Sequence, residues 1–180
     1  MCDVIDKLTP AQAKEVVIRL SQAGDEIRKV VVAEALNVLN GIDLDDIADE
    51  VFLILDSIDV QDCWDRSGGS RDDYTSPDEA AQEIIEEELQ AHFDQVQRYH
   101  ELNMPDQEAT YCMGIILGMY RFEHESLSEF KEWSTDIPAD CVEFLLHGWG
   151  KRQQETARTD AMLKFIGDRC PAWARIAARL

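Results

Sequence analysis

The ten residues YCMGIILGMY (111–120) form the longest apolar run in the chain. This run is too short to cross a bilayer, which needs about 18 or more apolar residues. Apolar side chains occupy nearly all sides of a helix over 109–122, which is typical of a helix surrounded by other helices. Gly114 and Gly118 lie one turn apart and would let a neighbouring backbone approach closely. We therefore predict a buried central helix over 105–123.

The segment before this helix carries the strongest helix start in the chain. Ser76 and Pro77 supply a cap and a proline at the first position, and Glu79 completes a capping box. The pattern continues to about Leu102, and apolar residues recur along it at helical spacing. The buried stripe is predicted to be Ala81, Ile85, Leu89, His92, Val96 and Tyr99. His92 should therefore be buried and hydrogen-bonded.

Similar signals mark helices along the rest of the chain. Thr9, Pro10 and Gln12 open one, and Asp43 opens another that carries one apolar stripe. Pro138 begins a helix that Gly148 and Gly150 should end. The stripe after Asp43 consists of Ile47, Val51, Ile54 and Ile58. The sequence thus predicts an all-α fold of antiparallel helix pairs, packed as a bundle or short α-solenoid of about seven to nine helices around the central apolar helix.

One helix step resembles a known repeat family. The stretch YHELNMPDQEATYCMGIIL (99–117) places Leu102 before a turn and Glu108-Ala109 at the opening of the partner helix. This arrangement resembles the helix-turn-helix step of tetratricopeptide-like helical-repeat proteins, in which a small residue stands at this position. The Trp and Gly of that family's first helix are missing, and no 34-residue repeat recurs elsewhere in the chain. The resemblance implies antiparallel helix pairs and a protein-binding role.

Charge divides the chain into two parts. The formal net charge is -20, which disfavours nucleic acid and anionic membranes and favours cationic partners or metal ions. Residues 151–180 contain seven basic and three acidic residues, a net +4, so residues 1–150 carry -24. We therefore expect an acidic helical body over 1–150. A basic helical C-terminal tail over 151–180 should dock on that body or on a second subunit, where it would support a homodimer.

Cysteine usage and the N-terminus point to a cellular compartment. The five cysteines are odd in number and never in CxxC spacing, which is typical of free thiols in a reducing environment. The first ten residues, MCDVIDKLTP, lack the basic and apolar regions of a secretory signal. We expect a cytoplasmic protein without disulfides. The cysteines are Cys2, Cys63, Cys112, Cys141 and Cys170.

The stretch QDCWDRSGGSRDDYTSPDEAA (61–81) interrupts the helical pattern with an acidic insert that is predicted to lack secondary structure. It contains a tryptophan, two arginines and a glycine pair. Trp64 either folds back beneath the following helix or lies at a groove that a partner covers, because its large apolar surface should be packed. Long connections of this kind are often functional. The predicted binding surface is Trp64, Arg66, Arg71 and Tyr74.

Catalytic motifs are missing from the pattern, and one metal hypothesis competes with the binding one. No HExxH or G-x-S-x-G motif occurs, so no catalytic residue and no cofactor is predicted. Asp46 and Asp49 share one helix face, and Glu83, Glu86 and Glu87 share another, so two packed helices could hold Mg²⁺. These pairs resemble the ExxE and ExxD metal pairs of all-α nucleoside-triphosphate pyrophosphatases. That family would imply a Mg²⁺-dependent hydrolase.

Two functions follow from these patterns. The acidic surface, the aromatic insert and the helical pairs favour a non-catalytic protein-protein interaction module, an adaptor or scaffold with a protein partner. The alternative is the Mg²⁺-dependent hydrolase with helix-borne carboxylates.

Overall fold

A computed structural model of the chain describes residues 2–70 and 73–178, and the described part is almost entirely helical. The all-α prediction is confirmed. Among the described helices, none combines the length and the apolarity needed to span a membrane. The helices are α1 (Pro10–Gln22), α2 (Asp25–Asn40), α3 (Leu44–Asp56), α4 (Val60–Arg66), α5 (Pro77–Glu101), α6 (Pro105–Glu125), α7 (Phe130–Trp133), α8 (Ile137–Arg152), α9 (Thr156–Arg169) and α10 (Ala174–Ala177).

The chain forms two compact units, residues 1–42 and residues 43–180. The first unit contains α1, α2 and a 3-10 turn over Cys2–Lys7. The second contains all the other elements. The sequence predicted a different division, into an acidic body over 1–150 and a basic tail over 151–180, and that division stays a prediction.

The first unit is a helical hairpin. Thr9 caps α1 through the predicted capping box with Gln12. Gly24 precedes α2 with a φ of +154°, a conformation that residues with a side chain rarely adopt, and this glycine permits the tight turn between the helices. No residue of α1 or α2 is buried.

The second unit is organised around α6, as the apolar run predicts. The tightest contact is with α3, because the two predicted glycines leave room for that helix. Gly114 lies opposite Ile47 and Gly118 lies opposite Val51, so α3 and α6 run in the same direction. The sequence predicted a close neighbour at these glycines but not its direction. Whether the helices are arranged as a bundle or as a short solenoid stays a prediction.

Helices α5 and α8 both pack on α6. The turn between α5 and α6 covers only residues 102–104, and the six predicted stripe residues of α5 are all buried. Arg152 at the end of α8 contacts Glu108 at the start of α6, so α8 is antiparallel to α6. Because α5 is also antiparallel to α6, α5 and α8 run in the same direction. Helix α8 continues through Gly148 and Gly150, where the sequence predicted its end.

That continuation has a physical cause in tertiary contacts. Trp149 is completely buried, and Arg152 is fixed by Glu108, so the last turn of α8 is held by packing despite the low helix propensity of glycine.

The insert over 61–81 has more structure than predicted. Val60–Arg66 forms α4, whose first turn is capped by Asp59. Strands β1 (Gly68–Ser70) and β2 (Asp73–Thr75) then pair antiparallel, with Gly68 opposite Thr75. The prediction of an insert without secondary structure is wrong, because a two-stranded hairpin needs only three residues a strand and gives a weak sequence pattern.

The C-terminal segment contacts the rest of the second unit through charges and one aromatic residue. Trp173 is 4% exposed, and its ring packs edge-on against Tyr120 at a centroid distance of 5.2 Å. Ion pairs join Arg158 to Asp106 (2.6 Å) and Arg169 to Asp45 (2.7 Å).

Candidate interaction site

The predicted binding surface is spread over two elements. Trp64 and Arg66 lie on α4, whereas Tyr74 lies on β2 and is 71% exposed. Arg71 lies outside the described residues. Whether these four residues bind a partner stays a prediction.

Trp64 is neither fully buried nor free. It is 47% exposed, and its ring meets Trp133 of α7 edge to face, with centroids 4.7 Å apart. Arg66 donates from Nη1 to Oε2 of Glu87 at 2.7 Å, which ties α4 to α5. The ring contact is with α7 rather than with the following helix α5, and about half of the tryptophan stays accessible, so the choice between the two predicted alternatives stays a prediction.

A groove lies between α5 and α8, with a volume of about 600 Å³. We call it the α5–α8 groove. The two helices flank α6 and run in the same direction, so their facing side chains form two parallel walls. The apolar lining consists of Phe93, Val96, Ile137, Phe144 and Leu145.

Phe144 is the most unusual of these residues. It is 82% exposed, although its neighbours Val142, Leu145 and Leu146 are buried. It also borders a second groove on the other side of α8, of about 630 Å³, which includes Ile176. Phe144 therefore presents an aromatic ring to solvent between two concave surfaces, and aromatic residues are enriched at protein–protein interfaces.

The polar lining of the α5–α8 groove is mainly neutral or acidic. Three glutamines, Gln82, Gln90 and Gln97, lie along the α5 wall, and Glu86 and Asp140 add carboxylates. Glutamine side chains both donate and accept hydrogen bonds, so this wall can pair with peptide groups.

One arginine lies among the lining residues, and its charge is already compensated. Arg152 donates from both Nε and Nη2 to Oε1 of Glu108, at 3.0 and 2.7 Å. Glu108 is 1% exposed, and its Oε2 lies 3.6 Å from Nδ1 of His100. The uncompensated charge in the groove is therefore that of Glu86 and Asp140.

Cys141 lines the groove, and the pKa of its thiol depends on its burial and on the nearby charges. Burial, followed by the nearby carboxylates of Glu86 and Asp140, raises the pKa of the Cys141 thiol to about 11. Burial disfavours the thiolate in itself, and the two carboxylates further disfavour a second anion beside them. The groove is thus apolar at its anchor points and electrostatically negative.

Two of the five carboxylates predicted to hold Mg²⁺ form ion pairs instead. Asp49 pairs with Arg121, and Glu87 pairs with Arg66. Within residues 2–70 and 73–178, no three His, Cys, Asp or Glu side chains come together in a way that could hold a metal ion. The packing of α3 explains this, because its closest neighbour is α6 and its acidic face meets an arginine of that helix.

Sequence reasoning missed both Phe144 and Trp133. Phe144 stands outside the stripe formed by Val142, Leu145 and Trp149, and an aromatic residue outside the stripe of an amphipathic helix is a usable signal. Trp133 gave no such signal, because α7 has only four residues.

Comparisons of the chain with protein-family models, with curated proteins and with solved structures found no match. Function is therefore inferred from the geometry of the groove and the helices themselves.

Proposed function

We propose that residues 43–180 form a non-catalytic protein-interaction module, an adaptor or scaffold that holds a basic segment of a partner protein in the α5–α8 groove. The observation that carries this proposal is Phe144, an aromatic side chain 82% exposed at a groove bordered by carboxylates.

The dimensions of the groove suit a peptide. Its lining on α5 extends from Gln82 to Gln97, which at 1.5 Å per residue is about 22 Å. That length accommodates about four turns of a helix, or about seven residues of extended chain. Grooves between helices commonly receive an amphipathic helix through apolar anchors at one-turn spacing.

The charge of the groove selects the composition of the segment. Glu86 and Asp140 lie beside the apolar lining, and residues 43–180 hold nearly all of the chain's net charge of -20. Lysine or arginine next to an apolar anchor would complement this surface and accelerate association. An acidic segment would be repelled.

The predicted surface around Trp64 adjoins this groove through two chain neighbours. Glu87, which holds Arg66, follows the groove residue Glu86, and Trp133 lies four positions before the groove residue Ile137. We propose that a partner longer than the groove also contacts Trp64 and Arg66, two of the residues that the sequence predicted to bind.

The proposal is tested by selecting peptides from a displayed random library on the full chain and measuring their affinities by fluorescence polarisation. Selected peptides should combine apolar residues with Lys or Arg. Phe144→Ser should weaken binding by about 2 kcal/mol, about thirtyfold, because the apolar side chain of the peptide loses its aromatic partner in the groove.

Leu127→Ser is the matched control, since Leu127 is 98% exposed and lies outside the groove. Its affinity should stay within about twofold of the wild type. Equal losses in both variants, or selected peptides that bind Phe144→Ser as tightly as the wild type, would refute the assignment of the groove.

A further inference from the structure

The hairpin of α1 and α2 exposes many large apolar side chains, which would leave an isolated helix pair only marginally stable in water. Nine large aliphatic side chains on these helices are between 42% and 78% exposed, and no residue of either helix is buried. Helices of 13 and 16 residues are marginal in water without tertiary packing. The nine residues are Val16, Val17, Ile18, Leu20, Ile27, Val30, Val32, Leu36 and Val38.

Part of this surface forms one apolar stripe on each helix. Val16 and Leu20 lie one turn apart on α1, and Ile27, Val30 and Val38 fall within about 80° of one another on α2 at 100° per residue. The two helices are antiparallel neighbours joined by a two-residue turn, so each contributes one apolar stripe. The least exposed positions, Val31 and Leu39 on α2, are still only half-buried.

The charge of the hairpin differs from that of the rest of the chain. Residues 1–42 contain six acidic and five basic residues, a net charge of -1, whereas the whole chain carries -20. Some of these charges pair within the hairpin, as Arg19 does with Glu15 and Lys29 with Glu26. A surface with almost no net charge gives a strongly basic or acidic partner little attraction, and it presents little local repulsion to the same surface of an identical copy.

We propose that the α1–α2 hairpin is a dimerisation element, and that its occupant is the same hairpin of a second copy of this chain. Two such hairpins would form a four-helix bundle, the usual solution for paired amphipathic helices. A twofold interface requires only that one face be self-complementary, which a neutral aliphatic face satisfies.

The area available agrees with this assignment. The five residues of these two stripes offer on the order of 400 Å² of apolar surface per hairpin, and a stable interface buries about 800 Å² per partner, of which somewhat more than half is apolar. The proposed interface is distinct from the basic tail, through which the sequence predicted a homodimer.

The test is the molar mass of the full chain, measured by light scattering across a dilution series from about 100 µM down to about 1 µM, which spans typical dimer affinities. The protomer mass is 20.5 kDa, and the wild type should have twice that mass at the upper end. The variant Val16→Asp with Val30→Asp should have the protomer mass, with a dissociation constant raised more than tenfold.

A matched control adds the same charge elsewhere. Leu53 and Leu127 are 63% and 98% exposed in the second unit, so Leu53→Asp with Leu127→Asp should remain a dimer. A monomeric wild type would overturn the proposal. A dimer that survives the hairpin substitutions would also overturn it, because the interface would then lie on another surface such as the tail. A dimer that both double variants disrupt equally would overturn it as well.

Hydrogen exchange of the wild type covers the case in which the hairpin variant unfolds locally. Amide protection over residues 10–40 should increase with protein concentration, because dimerisation stabilises the hairpin by mass action. Protection that does not depend on concentration would overturn the proposal, since it would mean that the hairpin is covered within its own chain.

Discussion

Substituting Gly118 by alanine should destabilise the second unit, although alanine is the better helix former. A Cβ atom built at Gly118 would lie 2.6 Å from Cβ of Val51 and 2.7 Å from the carbonyl oxygen of Ala48. Contacts this short do not occur between real Cβ atoms and their neighbours. Because one neighbour is a backbone oxygen, no side-chain rotation relieves the contact, and α3 must move away from α6.

Two opposing terms set the size of the effect. Alanine gains about 1 kcal/mol over glycine in a helix interior. Overpacking a dense core costs about 1–3 kcal/mol, and the upper end applies here because a whole helix is displaced. The free energy of unfolding should therefore fall by about 2 kcal/mol, the difference between these terms.

Tryptophan fluorescence in a urea titration measures this change in the relevant unit, because all four tryptophans lie in residues 43–180. Gly167→Ala is the control: Gly167 lies in α9, and no atom lies within 4 Å of a Cβ built there. That variant should gain about 1 kcal/mol. If both glycine variants are stabilised alike, the proposed close packing of α3 against α6 is incorrect.

Three further predictions concern ionisable groups. Burial lowers the pKa of His92, which bonds to the hydroxyl of Tyr111 at 3.0 Å, while the carboxylate of Glu50 opposes this shift more weakly. The unfolded chain then binds the proton more readily, so the free energy of unfolding should fall as pH decreases through about 6.5. Urea titrations should show a steeper pH dependence of this free energy for the wild type than for His92→Gln. Arg152→Met leaves the buried carboxylate of Glu108 without its arginine and should lower the free energy of unfolding by about 3 kcal/mol in the same assay. The double variant Glu108→Met with Arg152→Met should recover most of the loss, and no recovery would argue against a buried pair. Alkylation of the Cys141 thiol should accelerate tenfold per pH unit up to about pH 11, as followed by mass spectrometry, and a plateau near pH 9 would contradict the burial of this thiol beside Glu86 and Asp140.

Local signals in the sequence predicted local structure well. The capping boxes at Thr9 and Ser76 form, because each depends only on residues three positions apart. The α5 stripe is buried at every predicted position, since helical spacing alone decides which side chains share a face. Gly114 and Gly118 correctly indicated a close helix neighbour.

Features that depend on which helices meet could not be predicted in the same way. The glycines do not specify that α3 is the neighbour or that it runs parallel to α6. The α5–α8 groove arises because two helices that are distant in sequence pack on the same central helix. No local sequence pattern encodes the distance between those two helices. Two carboxylates predicted to hold Mg²⁺, Asp49 on α3 and Glu87 on α5, pair with arginines from other elements.

The central claim is that the α5–α8 groove holds a partner segment, and amide chemical-shift mapping tests it most directly. The tightest peptide from the library selection would be titrated into ¹⁵N-labelled full chain. The account predicts perturbations concentrated between Gln82 and Gln97 on α5 and between Ile137 and Arg152 on α8, with smaller ones near Trp64. Perturbations confined to other surfaces, such as the α1–α2 hairpin, would contradict it.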